Sequence, residues 1–303
     1  MAGIQSGPAE APALNQTARA STGPGLERVA HLLGHLVIAS LVVLWLVPTL
    51  GLLVSSFRPD ALVASTGWWT ALRPPYHLTL DNYTTVLTTD NVGQSFVNSV
   101  FVAVPATVMP LLIAAFAAYA FSWMSFPGRD VLFFLVVGLL VVPLQTTLIP
   151  VLRLFTALGL NGTFPGIWLA HTGYGLPFAI FLLRNFFSSL PREMIEAAAI
   201  DGASPLETFF SLVLPTSVPA LAALAIFQFL WVWNDLLVAL IYLGGEPSVA
   251  PLTVTVSNLV NSLGEGWQLL TAAAFISMSL PLVIFFSLQR FFVAGILAGS
   301  VKG

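Results

Sequence analysis

Cysteine is absent from the chain, and lysine occurs once, at Lys302. The first absence excludes disulfides, thiolate metal sites and a cysteine nucleophile. The second excludes a P-loop, which needs a lysine followed by Ser or Thr, because Gly303 follows Lys302. Charge is scarce: 8% of the residues are Asp, Glu, Lys or Arg, against about 25% in a soluble domain. The net charge of -3 offers no basic field for nucleic acid. Four histidines (His31, His35, His77 and His171) show no zinc-ligand spacing, and no Gly-x-Ser-x-Gly elbow occurs. No catalytic residue, metal site or bound cofactor is therefore expected, and the chain does not read as an enzyme.

What remains is apolar. Hydrophobic residues make up 57% of the 303, and the mean hydropathy is +0.92. A soluble chain of this composition would expose large adhesive patches, so the reading is an all-α integral membrane protein. A spanning helix needs roughly 20 mostly apolar residues. Six stretches qualify: Ala30–Ser55, Phe96–Trp123, Val131–Leu158, Ile167–Phe187, Ser217–Leu243 and Leu269–Ala294. Residues 1–28, rich in Ala, Gly, Pro, Ser and Thr at their start, read as a disordered cytoplasmic tail without a signal-peptide pattern. Residues 29–303 read as one transmembrane domain. With the N-terminus inside, Arg19, Arg28, Arg129, Arg184, Arg192, Arg290 and Lys302 fall on the cytoplasmic side. Arg58, Arg73 and Arg153 fall outside, a bias that favours both termini in the cytoplasm. Prolines inside or near the spans (Pro105, Pro110, Pro143, Pro150, Pro177, Pro219, Pro281) fit tolerated helix prolines or kinks lining a path equally well.

The inner loop, about 188–216, is unusually regular. Pro191 suits a first helical position, the Ala197–Ala199 run favours helix, and Gly202 suits a left-handed stop. Ser204-Pro205-Leu206-Glu207 then reads as a capping box opening a second helix. Ile195, Ala198 and Ala199 share one face of the first helix. On physical grounds such a helix-turn-helix is either a plain connector or a docking element.

Glu196-Ala197-Ala198, three residues, Gly202, nine residues, Leu212, one residue and Leu214-Pro215 resemble the EAA loop of ABC importer permeases. Leu212 departs from the commoner isoleucine of that pattern. The resemblance continues in Asn98-Ser99, Leu148-Ile149-Pro150, Leu158-Gly159-Leu160-Asn161, Pro177-Phe178 and Leu183-Arg184-Asn185-Phe186-Phe187. Ile200-Asp201-Gly202-Ala203-Ser204, Trp233-Asn234-Asp235 and the segment from Gln289 to the C-terminus extend it, so that it covers residues 30–303. This set looks like the six-span second permease of carbohydrate (maltose-type) importers. The resemblance implies a coupling loop (Glu196, Ala197, Ala198, Asp201, Gly202, Leu212, Leu214, Pro215) that seats in an ATPase subunit. It implies a sister permease, two ATPase subunits that hold ATP and Mg, and an extracytoplasmic sugar-binding protein. The setting is the bacterial cytoplasmic (inner) membrane with its lipid. The implied cargo is a sugar or oligosaccharide such as an alpha-glucoside, maltose or trehalose, with glycerol phosphate or a polyol as the alternative.

Polar residues within the spans are the substrate-path candidates: Gln145, Thr146, Tyr174, Asn234 and Asp235, with Thr147, His171, Thr172, Gln228, Trp231 and Trp233 close by in sequence. Sugars need hydrogen-bonding groups and aromatic faces, which these side chains supply. Helix–helix hydrogen bonds, worth roughly 1 kcal/mol each, are the bland alternative. Asp235, an acid inside a span, marks a functional site by default, yet capping or pairing with a neighbouring helix is the reading favoured here. An ion-coupled transporter built on Asp235 would leave the loop pattern unexplained.

Overall fold

The computed structural model describes residues 24–88, 91–259 and 266–300. Among them every regular element is a helix. Helix α1 (Pro24–Ser56) is followed by α2 (Asp60–Ser65), a 3-10 turn at Trp68–Leu72 and α3 (Asp81–Thr88). Next come α4 (Val92–Trp123), α5 (Arg129–Gly138), α6 (Leu144–Ala157) and α7 (Phe164–Phe187). The loop region holds α8 (Arg192–Ile200), α9 (Pro205–Thr208), a π-helical turn (Phe209–Val213) and α10 (Leu214–Thr216). The chain ends with α11 (Val218–Trp233), α12 (Leu237–Tyr242), α13 (Leu252–Ser257) and α14 (Trp267–Ser300).

Four helices are long and apolar enough to cross a membrane: His31–Ser56, Val92–Trp123, Phe164–Phe187 and Trp267–Gln289. Two bent pairs raise the number to six, α5 with α6 and the α9–α10 segment with α11. Six spans follow from the sequence; that two of them are broken does not. The third expected span, Val131–Leu158, turns by 102° between Val141 and Leu144. Val142 precedes a proline, whose ring disfavours the helical region for the residue before it, and it lies at φ -72, ψ 116. Pro105, Pro110, Pro150, Pro177 and Pro281 instead lie inside continuous helices. The fifth expected span, Ser217–Leu243, bends by 74° from the preceding segment at Ser217 and ends at Trp233. Asn234 then leaves the helix, and Asp235 starts α12 afresh.

The expected tail overlaps α1 by residues 24–28, because Pro24 begins the helix at a position where its missing N–H costs nothing. The rest of that tail, Arg19 included, and Lys302 lie outside the described residues. At the other end, the helix continues through 295–300, where a short tail was expected. By packing, the chain divides into two units at Leu50/Gly51, within α1. In the first unit the side chains from His31 to Leu50 are exposed, as an apolar helix that faces lipid requires.

The second unit contains two apolar cores. One gathers Val102, Phe155, Ile167, Trp233 and Tyr242; the other gathers Tyr119, Leu183, Phe187, Phe209 and Val213. Helix α4 packs along α7 and α11, and α11 packs against α14. Buried alanines at 103, 106, 114, 115 and 118 let backbones approach closely, the main source of helix association in lipid. Asn98 and Ser99 tie this bundle to a later loop. The Asn98 amide donates to the carbonyl of Ala250 at 3.0 Å, and the Leu252 N–H donates to Ser99 Oγ at 2.7 Å.

Candidate functional site

Two regions matter, the helix-turn-helix at one end of the bundle and the polar residues within it. In the first, α8 stops at Asp201, and Gly202 adopts φ +82. That left-handed geometry is strained for any residue with a Cβ. The Gly202 N–H donates to Ala199 O at 3.1 Å and the Ala203 N–H to Ala198 O at 3.0 Å, closing the helix end. Ser204 then makes the complete capping box: Glu207 N–H donates to Ser204 Oγ, and Ser204 N–H donates to Glu207 Oε2 at 2.7 Å. Those bonds from Ser204 hold the Glu207 carboxyl below its ordinary value. Arg192 and Glu196 form an exposed (i, i+4) ion pair at 2.8 Å.

The exposed residues of this element mix apolar side chains with Arg192, Glu193, Glu196, Asp201 and Glu207. Ala197, Ala199, Ile200 and Leu206 are exposed, Ile200 to 86%. The face expected from Ile195, Ala198 and Ala199 is split: Ile195 and Ala198 are half-buried, whereas Ala199 is exposed. Asp201, Gly202 and Pro215 are exposed, and Leu212 and Leu214 are half-buried. Its inner side is anchored. Phe209 and Val213 are fully buried, and the Phe209 ring lies 5.2 Å from Tyr119 and 4.8 Å from Phe116 of α4. The Phe209 ring thus ties this element to α4.

Within the bundle the five path candidates separate. Tyr174 lines a cleft of about 300 Å³ with Gly175, Phe178, Phe227, Gln228 and Trp231. Its hydroxyl is 2.8 Å from that of Tyr242 and accepts a bond from Thr147 Oγ at 3.0 Å. Gln145, Thr146 and Asn234 are exposed and do not line the cleft. The Thr146 hydroxyl donates to Pro143 O at 2.7 Å, and the Asn234 amide donates to Leu230 O at 2.8 Å. Asp235 caps α12: its carboxylate accepts from the Val238 and Ala239 N–H groups at 3.2 and 2.8 Å. Its Oδ2 also lies 3.8 Å from His171 Nε2, inside the bundle. The His171 ring is fully buried and meets Trp231 edge-on at 5.3 Å.

Phe178 and Phe227 were missed in the sequence because isolated apolar residues in a span look like any lipid-facing position. The signal was present, since Tyr174/Phe178 and Phe227/Trp231 are (i, i+4) pairs and so share a helix face. Among the described residues no group of three or more potential metal ligands is found.

A helical bundle with apolar spans, two of them bent, defines a multi-pass membrane protein. The sequence matches the family of binding-protein-dependent transport system inner membrane components over residues 95–297. It is 61% identical to the osmoprotective compounds uptake permease GgtD of Synechocystis, over 88% of this chain and 91% of that one. It is 55% identical to the alpha-glucoside transport permease AglG of Rhizobium meliloti, over 83% and 67% respectively. In fold it resembles a bacterial ABC transporter involved in alginate import, with a TM-score of 0.69 and 23% identity over 88% of this chain and 97% of that one. The chain belongs to this family of inner-membrane permeases. It is a multi-pass inner-membrane permease of a binding-protein-dependent ABC transport system and not an enzyme.

Proposed function

We propose that this chain is one of two permeases in an ATP-driven importer for a sugar or small oligosaccharide, with an alpha-glucoside as the leading substrate. The observation that carries the substrate class is the 55% identity to the alpha-glucoside permease over most of this chain. Both termini lie in the cytoplasm in this reading, in keeping with the excess of arginine on that side. The loop 188–216 then faces the cytoplasm and seats Ala197, Ala199, Ile200 and Leu206 in a groove of one of two ATPase subunits. Those subunits bind ATP and Mg. Their closure moves α8 and α9, the Phe209–Phe116–Tyr119 contact passes the motion to α4, and the spans rock about the pathway. Tyr174, Gln145, Thr146, Asn234 and Asp235 face or support that pathway, which a sister permease completes. An extracytoplasmic binding protein delivers the sugar.

A second substrate reading, an osmoprotective solute such as a polyol, is favoured by the 61% identity to the Synechocystis permease. Proteoliposomes holding the complete transporter and its binding protein separate the two. Labelled maltose or trehalose is expected to accumulate with ATP inside, and excess polyol to leave that uptake unchanged. Polyol uptake without glucoside uptake rejects the first reading, and uptake without ATP rejects the importer assignment itself.

A further inference from the structure

Arg58 is a cation without an anion. Its side chain is buried to 2% exposure, yet it forms no ion pair among the described residues. Its guanidinium donates to the carbonyls of Leu62 and Thr66, at 2.9 and 3.3 Å, and to the Thr66 and Thr70 hydroxyls, all neutral acceptors. Burying an unpaired charge is costly, and an arginine does not escape the cost by losing its proton. Beside it lies an open pocket of about 460 Å³, whose lining includes Arg73, His77, Trp69 and Thr70 and no acidic residue.

The position of this pocket is defined by the chain. Arg58 follows the end of the first span, Ser56, by two residues. The elements around it, α2 and α3, pack against α14, whose span begins at Trp267, and α3 also packs against α4, whose span begins at Val92. The pocket thus follows directly on the end of the first span, in elements that pack against α4 and α14. Around it Trp69, Leu72, Tyr76 and Leu78 are exposed. Tryptophan and tyrosine beside aliphatic groups are the residues that settle at the headgroup level of a bilayer. In the orientation proposed above, Arg58 and Arg73 are two of the three arginines on the outer side, a face where cations are otherwise scarce.

The geometry points to a headgroup site: Arg58, Arg73 and His77 bind the phosphate of an anionic phospholipid, with the acyl chains lying against Trp69, Leu72 and Tyr76. A lipid fits better than a soluble acidic partner because the positive pocket and the apolar collar lie together where α1 leaves the membrane. The arginine forks match phosphate oxygens in bidentate geometry. The bound phosphate supplies the counter-charge that Arg58 lacks and ties the residue 57–88 loop to the bilayer.

The test is native mass spectrometry of the assembled transporter, released from nanodiscs holding equal amounts of phosphatidylglycerol and phosphatidylcholine. The intact complex is expected to retain phosphatidylglycerol over phosphatidylcholine. Arg73→Gln, an exposed position that does not endanger folding, should lower that retention about fivefold, the effect of one surface cation on an anionic lipid. Arg58→Lys should also lower it, since lysine lacks the fork. Equal retention of the two lipids, or phosphatidylglycerol retention unchanged in both variants, overturns the site. Loss of the adduct to millimolar inorganic phosphate, with no dependence on the acyl chains, also overturns it in favour of a free anion. Retention is read without transport, so a failure here leaves the importer assignment standing.

Discussion

The Gln228 side chain fills the space that a side chain at Gly175 would need: a Cβ there would lie 2.6 Å from Gln228 Oε1. This contact joins α7 to α11, while Gln228 Nε2 donates to Ala106 O of α4 at 3.1 Å. One glutamine thereby links the three helices that build the larger part of the bundle.

Gly175→Ala is expected to displace the amide and break its bond to Ala106, costing roughly 1–3 kcal/mol for the unpaired buried groups left behind. Thermal unfolding in detergent measures this. In the double variant with Gln228→Ala the clash disappears, so the two losses should not add. Additive losses would show that Gln228 does not fill the space at Gly175.

Asp235 predicts an order of severity. Asp235→Ala removes the acceptor for the Val238 and Ala239 amides, so α12 should fray at a cost of about 0.5–2 kcal/mol, as for other lost caps. Asp235→Asn keeps one carbonyl acceptor and should cost less. Hydrogen exchange of residues 237–242 reports the fraying, and uptake reports function. A stable, fully protected Asp235→Ala variant that fails to transport would argue for a direct role in the path.

In the loop, Gly202→Pro forces φ from +82 towards -65 and removes the amide that donates to Ala199. The bundle should still insert, because its cores lie elsewhere, while uptake falls at least tenfold and ATP hydrolysis loses its response to the binding protein. Glu196→Lys should act in the same direction by placing a like charge beside Arg192. Wild-type uptake in both variants would remove the coupling role.

The absence of native cysteine makes accessibility a direct probe of the pathway. Single cysteines at Gln145, Tyr174 and Asn234 should react with a membrane-impermeant thiol reagent faster in the ATP-trapped transporter than at rest. Tyr174 is the sharpest case, since its hydroxyl is held by Thr147 and Tyr242 in the state described. Three positions unlabelled in both states would make them packing residues.

Composition and spacing by themselves determined a membrane protein with six apolar runs, no machinery for ATP, and a capped helix-turn-helix at 191–215. Each is a local property: a run of apolar residues, a missing lysine, and a Gly202 and Ser204 placed where a helix must end and another begin. The break at Val142 could not be told apart in advance, because most prolines in these spans are carried without a break, and the break at Asn234 has no proline to announce it. The division of the polar residues depended on tertiary context. Tyr174 became a wall of a cleft, and His171 a neighbour of Asp235, only once helices distant in sequence were packed together. Hydrogen-bond partners and burial are properties of the packed bundle, so the sequence names the residues able to act, and the tertiary structure decides which of them meet.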